Sequence, residues 1–293
     1  MSVSHTRRSG TRSDAATHEG FLRHRRFRWL RVAVVFGVVA ILGYLFADVR
    51  PRPGGGTWYG YTLGVASAAL ILWLTLIGIR KRAMTPGRWS LKAWVSAHVY
   101  LGLSLLVVAT LHTGFSFHWN VHTLAYGLML LVIASGIFGV IVYATLPARL
   151  SENRREMTQR QMLEALKSLD LQLDLAAQPL RPAESDIVRL SLEHTDIAGG
   201  FWARITGAHP RCGNALAIRR LLRLRQGGGL ESDAAALAQI ATLLDRKAAS
   251  LRQARIHIRL QTIMEVWLKV HVPTTFALLA ALTAHIVSVF FYW

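Results

Sequence analysis

Residues 98–112 read HVYLGLSLLVVATLH, and residues 271–285 read HVPTTFALLAALTAH. Each stretch is apolar and has a histidine at both ends, fourteen residues apart. An α-helix turns by about 100° per residue, so each pair lies on one helix face, about 40° apart in angle and about 21 Å apart along the axis. Ionisable side chains within membrane helices usually mark functional positions. The two stretches therefore predict membrane helices that carry functional histidines at two levels.

The composition of the whole chain is typical of an integral membrane protein. The chain has 293 residues, of which 52% are hydrophobic, and its mean hydropathy is +0.32. A helix needs about 20 apolar residues to cross a bilayer. Five stretches reach or approach that length: residues 29–47, 58–79, 93–117, 121–146 and 272–293. We predict an all-α integral membrane protein in which residues 29–147 form transmembrane helices one to four and residues 271–293 form the fifth.

The distribution of basic residues predicts the orientation in the membrane. The formal net charge is +18, and arginines and lysines crowd the N-terminal tail (residues 1–28) and the loop after the second span (residues 80–92). Basic segments of this kind stay on the cytoplasmic side. We therefore expect a cytoplasmic N-terminus and, after five crossings, an outer C-terminus, in a bacterial inner membrane. This orientation accounts for the positive charge, so we expect no nucleic-acid partner.

The same orientation assigns the histidines to levels. The third and fifth spans both run from inside to outside. His98 and His271 are therefore expected near the inner surface, and His112 and His285 near the outer one. Paired imidazoles on facing helices supply both axial ligands of a haem iron, and an iron with both positions filled is suited to electron transfer.

Four histidines, two per helix at this spacing, resemble those of the di-haem b-type membrane cytochromes. Their placement on the third and fifth spans is similar to the ferric-reductase-like transmembrane domain, over roughly residues 29–147 and 268–293. The resemblance implies that His98, His112, His271 and His285 are the axial iron ligands of two haem b groups, held in one helix bundle, which pass electrons across the membrane. The family usually has a sixth span followed by flavin and nicotinamide domains. This chain shows neither, so we expect a redox partner to supply the electrons.

Two other functions use the same histidines. The chain fits a quinol-oxidising anchor subunit of a larger respiratory complex, with quinone as an additional cofactor. It also fits a transporter or scaffold whose histidines relay protons or bind a transition metal. His257 also lies fourteen residues before His271, in a stretch too polar to span a membrane, so equal spacing also arises without a ligand.

His118 and His122 form a second constellation at the outer end of spans three and four. Spacing of four residues puts both imidazoles on one face of a helix, where they can bind a metal or hydrogen-bond a quinone head group. The alternative is ordinary interfacial chemistry. His118 is also a substitute for His112 as a haem ligand if the helix register differs.

Residues 148–270 are predicted to be a mainly helical cytoplasmic insertion between helices four and five. Amphipathic periodicity predicts a helix over residues 162–173, a break at Pro179 and Pro182, and a basic helix over residues 215–224. The alternation over Ile187–Leu192 predicts a short strand. A last helix, capped by Ser232, is expected to run toward span five, with a break or kink at Pro273.

The insertion shows no catalytic signature. Its glycine run at residues 227–229 lacks the flanking elements of a nucleotide fingerprint. Cys212 is the only cysteine, which excludes a disulfide within the chain and a cysteine-ligated iron–sulfur cluster. His209 and Cys212 have the spacing of half a metal site. The basic residues around Arg219 favour docking of anionic membrane lipids or of an acidic redox partner.

Overall fold

The computed structural model describes residues 21–47, 54–82, 89–152, 159–226 and 234–291. Within these ranges, 87% of the residues are helical and no strand occurs. Five helices are long and apolar enough to cross a membrane. For the described residues, the predicted all-α class and the five candidate spans are therefore confirmed, and these helices are compatible with an integral membrane protein.

Some sequence predictions fall outside the described residues. These are residues 1–20 of the basic tail, Arg88 of the basic loop, the glycine run and the Ser232 cap within residues 227–233, and the last two residues of the fifth span, 292–293. The described elements are a short 3₁₀-helix, Phe21–Arg23, and nine α-helices. The α-helices are α1 His24–Phe46, α2 Trp58–Arg82, α3 Leu91–Thr113, α4 Val121–Glu152, α5 Gln159–Ala177, α6 Pro182–Glu193, α7 Phe201–Thr206, α8 Gly213–Gln226 and α9 Ala234–Phe291.

Capping residues determine where α3 begins and ends. The Ser90 side chain accepts a hydrogen bond from the backbone N–H of Ala93, which is the usual N-cap arrangement. Gly114 ends the helix in the left-handed conformation, with φ of 59°, which glycine adopts without steric penalty. The sequence predicted that this span ends at Phe117, but the helix ends at Thr113.

The described residues fall into two compact units: those within Met1–Ala134 and Thr275–Trp293, and those within Ser135–Thr274. We call them the first unit and the second unit. Helices α4 and α9 contribute residues to both. In the first unit, α1 and α2 pack on α3. Its two buried clusters consist of Ala40, Leu63, Val108 and Leu111, and of Ile71, Leu74, Leu105, Ala109, Met129 and Leu278.

Large apolar side chains cover the surface of the spans. Val35 is 61% exposed, Phe46 81% and Phe290 77%. Water-soluble proteins rarely expose apolar surface over such contiguous areas, whereas lipid tails are as apolar as these side chains. The exposure pattern agrees with a protein whose spans face lipid.

The second unit has a core of ordinary globular type. Helices α5, α6, α8 and the first part of α9 enclose a cluster that contains Leu173, Ile187, Val188, Ala217, Leu221, Leu237, Ile240, Leu243 and Leu244. Helices are therefore confirmed over residues 162–173 and 215–224, and each is longer than predicted.

The strand predicted over Ile187–Leu192 is wrong, because these residues belong to helix α6. Pro182 occupies the start of the helix, where its missing N–H is tolerated. The buried positions of α6 are Glu184, Ile187, Val188 and Ser191, which follow helical spacing. The neighbouring Ile187 and Val188 are β-branched, and residues of this type are common in strands.

A break or a kink was predicted at Pro273. Helix α9 continues through Pro273 for 58 residues, so the break is wrong, and the kink stays a prediction. Proline removes one backbone donor from the helix ladder. Membrane helices tolerate this loss when nearby side chains satisfy the backbone. Pro273 removes the helical donor to the Lys269 carbonyl, and the Thr274 hydroxyl donates to the adjacent Val270 carbonyl at 2.7 Å.

A buried lysine links four helices of the second unit. Lys247 of α9 is 2% exposed. Its Nζ atom contacts the Asp170 carboxylate of α5 at 2.6 Å and donates to the Ser191 carbonyl of α6 at 2.8 Å. Asn214 of α8 completes the network, because it accepts from the Ser191 hydroxyl at 2.8 Å and donates to the Leu244 carbonyl.

Replacing Lys247 with methionine is expected to destabilise the second unit by about 2–3 kcal/mol. The variant keeps the apolar stem but leaves the buried Ser191 carbonyl without its charged donor. Lys167→Met on the exposed face of α5 is the matched control. Thermal unfolding of the detergent-solubilised protein should show a lower midpoint for Lys247→Met alone. Equal midpoints for the two variants would contradict a stabilising role for Lys247.

Candidate functional site

The four predicted ligands are divided between the two units. His98 and His112 lie on α3, and His285 lies near the end of α9, all in the first unit. His271 belongs to the second unit. The structure brings together His112 and His285, whose ring centroids are 6.0 Å apart. The pairing of His98 with His271 stays a prediction.

The geometry of His112 and His285 fits two ligands of one metal ion. Their ring planes are nearly perpendicular, at 87°, and both side chains are half-buried. Bonds of about 2.0 Å from both imidazoles to one ion put the ring centroids roughly 6.3 Å apart. The observed separation is close to that value, so the distance between the two rings is compatible with two ligands of one iron.

A backbone carbonyl orients the His112 ring. Its Nδ1 atom lies 2.8 Å from the Gly60 carbonyl of α2, and because a carbonyl accepts only, Nδ1 carries the proton in this contact. The Nε2 atom is therefore the nitrogen with a free lone pair, on the other side of the ring. Metal-binding histidines commonly use this arrangement, with one nitrogen on the metal and the other donating to a carbonyl.

The absence of a side chain at Gly64 lets α2 approach the same imidazole. A Cβ atom added to Gly64 would lie 2.7 Å from His112 Cε1 and 3.0 Å from Nδ1. Real Cβ atoms essentially never make contacts shorter than 3.0 Å. Any side chain at this position would push the ring away from Gly60.

His98 repeats the arrangement one level further along α3. Its Nδ1 atom lies 3.1 Å from the Leu74 carbonyl of α2. Gly60 and Leu74 are fourteen residues apart, the same spacing as His112 and His98, and the two helices run in opposite directions. Helix α2 therefore offers each histidine of α3 one backbone acceptor in a matching antiparallel register.

In the second unit, His271 also has a partner at Nδ1. The contact is with the Ser135 hydroxyl of α4, at 2.8 Å. The Trp267 indole lies 5.4 Å from the His271 ring, measured between centroids, and donates to the Ser135 carbonyl at 2.7 Å. Gly139 and Gly136 line this site, because a Cβ atom on either would meet Trp267 or His271.

His285 completes the pattern with a different partner. Its Nδ1 atom hydrogen-bonds Nδ1 of His122, which lies in the first turn of α4. The two ring centroids are 4.5 Å apart, and the planes are at 89°. His122 therefore lies against a predicted ligand.

The predicted helical pair of His118 and His122 is wrong. His118 lies in the loop before α4, exposed, with Nδ1 3.5 Å from the Ser116 hydroxyl. The helix begins only at Val121, because the Asn120 side chain caps it by accepting from the Thr123 N–H at 3.0 Å. His118 is accordingly not a substitute for His112, which α3 directs into the first unit.

His209 and Cys212 do not form part of a larger ligand set in the described chain, where no group of three His, Cys, Asp or Glu side chains can hold a metal ion. Burial raises the pKa of the Cys212 thiol, but hydrogen bonds from Arg255 and from backbone amides outweigh it and leave the pKa below its ordinary value. Burial, together with the Arg255 charge, lowers the pKa of His209. The half-site is therefore a packed polar cluster.

The amino-acid sequence did not predict the polar groups that contact the Nδ1 atoms of the histidines. Gly60 and Leu74 contribute backbone carbonyls, and Ser135 contributes a hydroxyl. A carbonyl leaves no signal in side-chain identity. The one readable signal was the pair Gly60 and Gly64, small residues four apart that permit close helix approach.

Comparison of the chain with protein-family models, with curated proteins and with solved structures returns no match. The arrangement of the histidines therefore carries the functional argument without support from a relative.

Proposed function

We propose that the chain is an integral membrane cytochrome that transfers electrons across the membrane through two haem b groups. The support is a feature that all four predicted ligands share. Each has its Nδ1 atom in contact with a polar atom of its own unit: His98 with Leu74, His112 with Gly60, His271 with Ser135 and His285 with His122.

This shared use of Nδ1 matters because an imidazole binds a metal through one nitrogen only. A hydrogen bond at the other nitrogen fixes the tautomer, holds the ring orientation and strengthens the ligand. His118 and His122, which are not proposed ligands, also make their contacts through Nδ1. The shared contact is therefore compatible with iron binding through Nε2, and the approach of His112 to His285 is the observation that distinguishes the proposed outer ligands.

At the outer level, His112 and His285 are the proposed ligands, supported by their 6.0 Å ring separation. The haem would supply reversible one-electron chemistry between ferric and ferrous iron. The chain's own residues hold the imidazoles and exclude water with apolar helices. Two histidine ligands would leave no site for oxygen or substrate on the iron.

At the inner level, we propose His98 and His271 on the basis of their sequence spacing. The spacing on α3 separates the two levels by about 21 Å along the helix, which divides the hydrocarbon core into two shorter electron steps. The N-terminus and the basic helix α8 are proposed to be cytoplasmic. An inner-face redox protein is the proposed donor, and a redox protein or quinone the proposed partner outside.

Electron transfer across the membrane can be tested in proteoliposomes. Ferricyanide is trapped inside, dithionite is added outside, and valinomycin with potassium compensates the charge that moves. Each electron taken from dithionite should reduce one ferricyanide, and its absorbance should decay much faster than in protein-free liposomes. His112→Ala should return the rate to the protein-free level. A wild-type rate equal to that of protein-free liposomes would contradict the proposed function.

A second candidate function is proton relay or transition-metal binding without haem. The direct contact of His122 with His285, and the position of His112 beside them, favours it, since neighbouring imidazoles pass protons and bind metals. This candidate predicts a purified protein with no haem absorbance after expression with ample haem.

A further inference from the structure

His122 lies against the outer ligand His285 although it is not one of the proposed iron ligands. Their Nδ1 atoms are hydrogen-bonded to each other. In a neutral imidazole one nitrogen donates and the other accepts. One of these two histidines therefore carries the shared proton, and the other contributes a lone pair.

Iron ligation decides which histidine donates. If His285 binds iron through Nε2, that nitrogen has no proton, so the proton of His285 is on Nδ1 and is donated to His122. The opposite arrangement puts the proton of neutral His285 on Nε2 and blocks the metal. His122 must therefore accept through Nδ1 and carry its own proton on Nε2.

The acceptor behind His285 also differs from those behind the other ligands. His112 and His98 donate to backbone carbonyls, and His271 meets a hydroxyl. An imidazole nitrogen is a more basic acceptor than a carbonyl or a hydroxyl, so it draws the proton of His285 further from the ring. This makes His285 the more electron-donating of the two outer ligands.

Capping of α4 holds His122 in place. The Asn120 side chain accepts from the Thr123 N–H at 3.0 Å, and the Asn120 carbonyl accepts from the Leu124 N–H at 3.1 Å. The Thr123 hydroxyl in turn accepts from the His118 N–H at 3.2 Å. These bonds fix the first turn of the helix, where His122 lies.

We propose that His122 is a positioning residue that fixes the metal-binding tautomer of His285 and lowers the reduction potential of the outer haem. This inference rests on the proposed function. It assigns a redox-tuning role to a histidine that spacing had grouped with His118.

Three variants of the full chain test the proposal. His122→Phe keeps a ring of similar size but has no acceptor, and His122→Gln offers an amide oxygen as a replacement acceptor. His118→Phe changes a neighbouring exposed histidine that does not contact His285. Haem content, the midpoint potential of each haem and the electron paramagnetic resonance spectrum of the ferric protein are measured in each.

We expect His122→Phe to raise the midpoint potential of one haem only and to shift its resonance signal, or to release that haem. His122→Gln should move the potential back toward wild type, or restore the haem. His118→Phe should match wild type. If His122→Phe keeps both haems with wild-type potentials, or if His122→Gln restores nothing that His122→Phe loses, the role of His122 is refuted while the cytochrome stands. Wild-type protein without haem would instead overturn the proposed function.

Discussion

Replacement of His285 with alanine is expected to halve the haem content, from two haem b groups per chain to one. Alanine cannot coordinate iron, and the neighbouring imidazole of His122 on α4 has its ring centroid 4.5 Å from that of His285, away from the proposed ligand position. His112→Ala should give the same result, because the two side chains are proposed to bind one iron. Pyridine haemochrome analysis of the purified variants measures the ratio.

The double variant, with alanine at both His112 and His285, tests whether the two histidines bind one haem or two different haems. It should retain one haem, as each single variant does. His257→Ala is the control, because His257 lies on the same helix and fourteen residues from His271 but outside the proposed ligand set. Loss of haem in the His257 variant, or two haems in the His285 variant, would show that the ligands are assigned incorrectly.

Replacement of Gly64 with alanine is expected to remove most of the outer haem as well. The added Cβ atom would lie 2.7 Å from His112 Cε1, so the ring must rotate and lose its bond to the Gly60 carbonyl. Alanine is favoured over glycine in a helix by about 1 kcal/mol, so loss of haem here cannot be ascribed to helix propensity.

Gly78→Ala is the matched control for Gly64→Ala. Gly78 lies on the same helix, and a Cβ atom there would meet nothing within 4 Å. Haem content and the sharpness of the reduced α band should be unchanged in the Gly78 variant. Full outer-haem occupancy in the Gly64 variant would mean that the position of the His112 ring does not depend on the close approach of α2.

Span number and helical class were readable from the sequence because both depend on composition over long windows. Five apolar stretches gave five candidate spans. Helix ends were less readable, since they depend on single capping residues. The predicted end of α3 ran past Gly114, and the predicted helical pair at His118 overlooked the Asn120 cap.

Only the side chains of the candidate site could be predicted from the sequence. The fourteen-residue spacing of the histidines on each of two spans indicated two matched levels, and the structure does bring the rings of His112 and His285 close together. Their acceptors were not readable, because Gly60 contributes a carbonyl that every residue has. The strand predicted at Ile187 failed for the opposite reason: β-branched residues suggested local structure that tertiary packing of α6 overrides.

The most direct measurement is a dithionite-reduced minus oxidised visible spectrum of the detergent-purified wild-type protein, with pyridine haemochrome quantification. We expect two haem b per chain and a sharp low-spin α band, as bis-histidine ligation requires. Protein purified after expression with ample haem that shows no Soret band would contradict the account and would leave the histidines to proton or metal chemistry.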